Sequence, residues 1–198
     1  MKLDDDDFTL FGLAARFALD RSDLDARWRA LQAEVHPDRF AAQGAAASRV
    51  AMQWAVRVNE AHGRLKDPLR RAAYLCELRG VPIGAEVNTT MPREFLMQQM
   101  AWRETLEEAG SLAEVEALDR QVADAEAALL TELATDLDER QDQTAAAARV
   151  RALMFVQRFR QDIGRRLDGA PEPVPARPQA GGRQGGPANP QARDRHEA

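Results

Sequence analysis

The chain is predicted to be all-α, and three observations predict it. Of its 12 Gly and 10 Pro, five glycines and six prolines fall in residues 169–198, which leaves the first 168 of 198 residues with seven glycines and four prolines. That body is rich in Ala, Leu, Glu and Arg, residues that lose little on entering a helix. Its apolar residues recur at intervals of three and four, and few segments show the two-residue period of a strand. All-β and doubly wound folds are thereby excluded, and the length allows one large or two small domains.

The elements follow in order. Residues 8–13 read Phe-Thr-Leu-Phe-Gly-Leu, a short apolar opening. Ser22 is placed to cap the next helix, with Asp23 and Asp25 in its first turn, where the helix dipole favours negative charge. Leu24, Trp28, Leu31 and Val35 recur at helical spacing and form its apolar stripe. His36-Pro37 stops that helix, because proline disfavours helical geometry in the residue before it. A small-residue loop around Gly44 leads to a second long helix, with Val50, Trp54, Val58, Ala61 and Leu65 as its stripe. Asp67-Pro68 breaks it, and proline there suits the first position of a following short helix that ends at Gly80 as its C-cap. Residues 1–80 thus make one unit, an antiparallel helical hairpin with short helices at either side.

Residues 81–91, with Pro82, Gly84 and Thr89-Thr90, read as a linker, and Pro82 and Pro92 bracket a hinge. Three helices are predicted after it. The first runs from about Pro92 to Ala109. The second starts at Ser111, whose spacing to Glu114 is a capping box, and carries Leu112, Val115, Leu118, Val122, Leu129 and Leu133. The third runs from about Gln143 to Leu167, with Leu153, Val156, Phe159, Ile163 and Leu167 on one face. Short connections make antiparallel neighbours, hence a three-helix bundle over 92–168. After Asp168 the only large aliphatic side chain is Val174, so the tail 169–198 is expected to be disordered.

Composition excludes several classes of function. The formal charge is −5, from 27 basic and 32 acidic side chains, which argues against a general nucleic-acid binder. No segment has the unbroken apolar length of a membrane span or a signal peptide. A single cysteine, Cys76, cannot form an internal disulfide and fits a reducing compartment, so a cytoplasmic protein is expected. Three scattered histidines and one cysteine make no metal site, and no cofactor is implied. His36 and Asp38 have the residue types of a base and its orienter, but no nucleophile accompanies them. Cys76 sits among apolar residues as an inert thiol, and His62 lies beside a core stripe.

His36-Pro37-Asp38, between two amphipathic helices, carries a resemblance. With Phe-Thr-Leu-Phe-Gly-Leu at 8–13 and Arg39-Phe40 after it, the tripeptide resembles that of a J-domain. Val58-Asn59-Glu60-Ala61, Leu65, Asp67-Pro68-Leu69, Arg71-Ala72 and Tyr74-Leu75 are similar to one branch, the HscB family of co-chaperones of iron–sulfur cluster assembly. The resemblance spans about 8–168 and implies an L-shaped protein: an N-terminal J-domain joined to a C-terminal three-helix bundle. It implies a protein that is not an enzyme. Its loop, His36, Pro37, Asp38 and Arg39 with the nearby Arg29 and Arg27, would dock on an HscA-like chaperone of the heat shock protein 70 family and stimulate its ATPase. Glu34 and Val35 stand where many J-domains carry a basic and an aromatic residue, so the positive face is thinner here. A general J-domain co-chaperone with a different client is the alternative.

The first bundle helix shows two apolar faces. On a helical wheel, Phe95, Trp102 and Leu106 fall on one side, while Leu96, Met97 and Met100 point away with Glu104. The second face either packs on a neighbouring helix or forms an exposed recognition patch, for which methionine is suited by its adaptable shape. Phe155 on the third bundle helix flanks it. The resemblance implies that Leu96, Met97, Met100, Glu104 and Phe155 contact an IscU-like iron–sulfur scaffold. Ala101 occupies a position where a relative has a carboxylate, so one polar contact is missing.

Overall fold

The structure, a computed structural model, describes residues 2–84 and 91–169. Every regular element among them is helical. In the N-terminal half, α1 (Asp7–Leu10) is a single turn, α2 (Arg21–Val35) leads into a 3-10 helix (Pro37–Gln43), and α3 (Ala45–Lys66) precedes α4 (Pro68–Leu78). In the C-terminal half, α5 (Arg93–Glu108), α6 (Leu112–Ala134) and α7 (Gln143–Asp168) form a bundle, with a π-helical turn (Thr135–Arg140) extending α6. Among the described residues, no helix is long and apolar enough to cross a membrane.

Several boundaries follow from the local chemistry, and some correct the sequence reading. Ser22 does not cap α2. Asp20 does, its carboxylate accepting the N–H groups of Ser22 (2.8 Å) and Asp23 (3.3 Å), and the Ser22 hydroxyl donates to the same carboxylate at 2.9 Å. A charged cap at the positive end of the helix dipole outcompetes a hydroxyl. α2 ends at Val35 before His36-Pro37, as predicted. The segment expected as a loop around Gly44 is instead the 3-10 helix, with Pro37 at its start, where a missing N–H costs nothing.

In α3, Val50 is 51% exposed and Ala51 is buried in its place. Two four-residue steps rotate Val50 by about 80° from Val58, out of line with the core. Asp67 caps α4 by accepting the Arg70 N–H at 2.9 Å. At the other end Arg79 is the cap and Gly80, one residue beyond, adopts φ +82°. That left-handed residue lets the Val81 N–H reach the Cys76 carbonyl at 2.9 Å. The capping box at α6 forms as expected: the Glu114 N–H donates to the Ser111 hydroxyl at 3.3 Å, and Glu114 Oε2 accepts the Ser111 N–H at 3.2 Å.

The apolar core does not respect the expected domain boundary. One cluster lies within the bundle: Trp102, Val115, Leu118, Val122, Val156, Phe159 and Ile163. The other joins Phe8, Leu24, Val58, Leu65, Leu75 and Cys76 to Leu133, Leu137, Ala146, Ala147, Val150 and Leu153. The first half of α7 therefore completes the core of the N-terminal unit by packing on α4. Polar contacts lock the same junction. Asp138 accepts the N–H groups of Phe17 (2.6 Å) and Ala18 (2.7 Å). Arg79 donates to the carbonyls of Leu137 (2.7 Å) and Ala15 (3.1 Å), and Arg151 to that of Ile83 (3.1 Å). Of the hinge expected between Pro82 and Pro92, only the two ends belong to the described residues. Residues 81–84 are held by the bundle, while linker residues 85–90 and the tail expected to be disordered, from residue 170, lie outside the described residues.

Candidate functional site

His36 ends α2 and begins the 3-10 helix at once. Its backbone is extended (φ −60°, ψ 127°), and its Nδ1 accepts the Asp38 N–H at 3.3 Å. Its carbonyl accepts the Arg39 N–H at 3.1 Å. The imidazole is thus a capping group. Between these bonds the Asp38 side chain stands 90% exposed, 3.8 Å from His36 Nδ1. The Asp38 carboxylate is thus presented to solvent from a backbone that His36 holds on both sides.

The three arginines near the loop play unlike roles. Arg27 is engaged within the fold, with its side chain 41% exposed. Its Nε meets Asp23 at 2.9 Å, and its Nη1 donates to the carbonyls of Phe11 (2.9 Å) and Gly12 (3.0 Å). Gly12 adopts φ +63°, and a Cβ there would come within 3.2 Å of that guanidinium. Arg39 donates to the Ala33 carbonyl at 2.9 Å, tying the 3-10 helix to the last turn of α2. Arg29 is exposed on α2.

A polar brace holds α2 against α3 behind the loop. Asn59 Oδ1 accepts the Trp28 indole N–H (3.0 Å) and the Gln32 amide (2.6 Å). His62 stacks on Trp28, ring centres 4.5 Å apart, and its Nε2 lies 2.7 Å from Asp25 Oδ1. That hydrogen bond holds the Asp25 carboxyl below its ordinary range. The sequence reading saw His62 only as a neighbour of the core, and missed Asp25 as its partner across the hairpin and Asn59 as the acceptor for Trp28 and Gln32. Cys76 is buried, and burial pushes its thiol pKa up, so it is no nucleophile. Among the described residues, no group of three His, Cys, Asp or Glu side chains could hold a metal ion.

On α5 the two apolar faces separate as predicted. Trp102 is buried, and Phe95 and Leu106 are half-buried against the bundle. Leu96, Met97 and Met100 are 44%, 60% and 71% exposed, so the second face packs on neither the N-terminal unit nor α7. Glu104 and Ala101 are exposed beside them. Phe155 is half-buried at the rim: it meets Phe95 edge-on at 6.0 Å and stacks on Phe159 at 6.3 Å. The Arg103 guanidinium covers its ring at 5.5 Å. Arg103 and the 41%-exposed Met154 were missed from the sequence, although both lie one residue from positions already singled out there, Trp102 and Leu153 on one side and Glu104 and Phe155 on the other. The surface offers apolar contact rimmed by charge, the chemistry of binding rather than of reaction.

Comparison with known proteins places these features. Residues 91–164 match the HSCB C-terminal oligomerisation domain. A co-chaperone protein HscB homolog of Burkholderia multivorans is 53% identical over 171 residues, 85% of this chain and 97% of that protein. One from Burkholderia mallei is 54% identical with the same coverage. Among solved structures, the chaperone HscB from Vibrio cholerae is 36% identical, with a TM-score of 0.72 over 83% of this chain and 98% of that one. The human co-chaperone protein HscB is 25% identical, with a TM-score of 0.79 over 84% of each chain.

Proposed function

Because the chain belongs to the HscB family of co-chaperones, we propose that it stimulates the ATPase of an HscA-like chaperone of the heat shock protein 70 family and delivers an IscU-like iron–sulfur scaffold to it. In this reading residues 1–80 are the J-domain. His36, Pro37 and Asp38 make the chaperone contact, with Arg29 steering onto an acidic partner surface. Arg39 and Arg27 join that contact while also holding the loop and the N-terminal turn in place. Residues 92–168 bind the scaffold through Leu96, Met97, Met100, Glu104 and Phe155. The protein makes and breaks no bonds itself and works in the cytoplasm. The iron–sulfur cluster is cargo of the scaffold.

The observation that carries the reading is the exposure of Leu96, Met97 and Met100 as one face of α5, on a bundle whose α7 is packed into the unit that bears Asp38. Holding two partners on one body raises their effective concentration for each other without any new contact between them. The test is steady-state ATPase of the chaperone with this protein, with the scaffold, or with both. Greater-than-additive stimulation with both is expected, and additive rates overturn the delivery step. Asp38→Asn or His36→Gln is expected to abolish stimulation with an unchanged helical CD signal. Stimulation that survives either substitution removes the loop from the mechanism.

A further inference from the structure

We propose that the outer face of α3 docks on a second copy of this chain, the two helices lying antiparallel with Arg49 of each opposite Glu60 of the other. This contact is independent of the function proposed above.

Met52 is 60% and Val56 52% exposed, and with Arg49, Gln53, Arg57 and Glu60 they line one shallow groove. Leu3, 44% exposed, borders it, its carbonyl accepting the Arg57 Nε–H at 3.3 Å. On a helical wheel Arg49, Met52, Val56 and Glu60 fall within about 80° of one another. They lie opposite Ala51, Val58 and Leu65, which are buried. The face therefore points away from the core of its own chain. An apolar centre with charged ends is the form of an interaction surface.

The order of residues along the face selects the partner. Arg49 and Glu60 stand about 17 Å apart in helical rise. Both are exposed, and among the described residues neither enters a salt bridge. Arg57 between them is already engaged, by Asp7 at 2.7 Å and by the Asp5 carbonyl at 2.7 Å. The midpoint of Arg49 and Glu60 coincides with that of Met52 and Val56 to within about 1 Å along the axis. A two-fold axis through that point lays the face on a copy of itself, as in isologous dimers. Met52 then meets Val56 of the second copy, and each basic end meets an acidic one. A parallel pairing would set like charges against each other, which fixes the direction.

One helix face makes a small interface, in the weak class below about 1,200 Å². The expected dissociation constant is on the order of 0.1 mM at low salt. Because α3 begins just after the 3-10 helix that bears Asp38, antiparallel pairing sends the two loops to opposite ends of the pair.

Sedimentation equilibrium of the full chain at low salt, from about 20 μM to about 1 mM, tests it. A reversible monomer–dimer equilibrium is expected. Arg49→Glu and Glu60→Arg, each alone, turn two opposite-charge pairs into two like-charge pairs and should weaken the dimer at least about tenfold. Mixing the two variants restores opposite charges at both ends, and the double variant does so within one sequence. Both should recover the parent constant to within about threefold. Both side chains are exposed, so the helical CD signal is expected to stay unchanged, and recovery on mixing excludes misfolding as the cause of the loss. A chain that stays monomeric throughout the range overturns the proposal. So does a dimer that neither single substitution weakens, which places the contact on another surface. A loss that neither the mixture nor the double variant reverses overturns it as well.

Discussion

Asp138, in the turn between α6 and α7, accepts the backbone N–H of Phe17 at 2.6 Å, joining residues 121 positions apart. Its other oxygen takes the N–H of Ala18 at 2.7 Å. A carboxylate from one half of the molecule thus serves as the cap of a turn in the other.

Replacing that carboxylate should loosen the junction. Asp138→Ala leaves two backbone donors without partners and is expected to cost about 1–3 kcal/mol. Urea unfolding followed through Trp28 and Trp54 in the N-terminal half and Trp102 in the bundle checks it. In the parent chain the signals should coincide, because one core spans both halves.

Asp7 is the second structural carboxylate. Its side chain is wholly buried between Arg57 at 2.7 Å and Arg64 at 2.9 Å, and its N–H donates to the Tyr74 hydroxyl at 3.0 Å. Asp7→Asn leaves two guanidinium groups facing a neutral amide and should cost about 3–5 kcal/mol, as for other broken buried pairs. Denaturant midpoints of Asp7→Asn against the parent measure it, and a loss below about 1 kcal/mol contradicts it.

The α5 face predicts the opposite pattern. Leu96→Ala with Met100→Ala removes exposed side chains, so stability should stay within about 0.5 kcal/mol of the parent. Scaffold binding by calorimetry should weaken about tenfold or more. A variant that unfolds instead identifies the face as core.

Acid stability should report the caps. Hydrogen bonds from the Ser22 hydroxyl and from the Asp23 and Ser22 N–H groups lower the Asp20 carboxyl, and the bond to His62 lowers that of Asp25, from the usual 3.8. A carboxyl depressed in the fold contributes stability that is present above its unfolded value and is lost as pH falls through the folded value. Asp20→Ala should therefore lower the thermal midpoint above pH 5, by a margin that shrinks as pH falls from about 4 towards 2. A pH-independent difference would show that packing, not the ionised cap, sets its worth.

The helices, the stop at His36-Pro37 and the two faces of α5 were legible because each is written in short-range periodicity or a local stop. The binding roles of the loop came from a family resemblance carried by several motifs together. Apart from the Asp20 cap, the 3-10 helix and the exposure of Val50, what could not be read is long-range. Ala146, Ala147 and Val150 look like a weakly apolar stretch of α7, and only the approach of α4 makes them core. That Arg27 also meets the Phe11 and Gly12 carbonyls depends on the left-handed turn at Gly12, which nothing in its own helix shows. Asp138 lies in a polar run with nothing local to show which distant N–H groups it serves.

The seam formed by α4, α7 and Asp138 shifts the burden of connection away from the polypeptide itself. A protease cut between Gly84 and Met91 would sever the backbone yet leave two fragments that recognise each other through a buried, hydrogen-bonded joint. Split expression of the halves becomes a route to reassembly, and segmental isotope labelling of either partner-binding half becomes practicable.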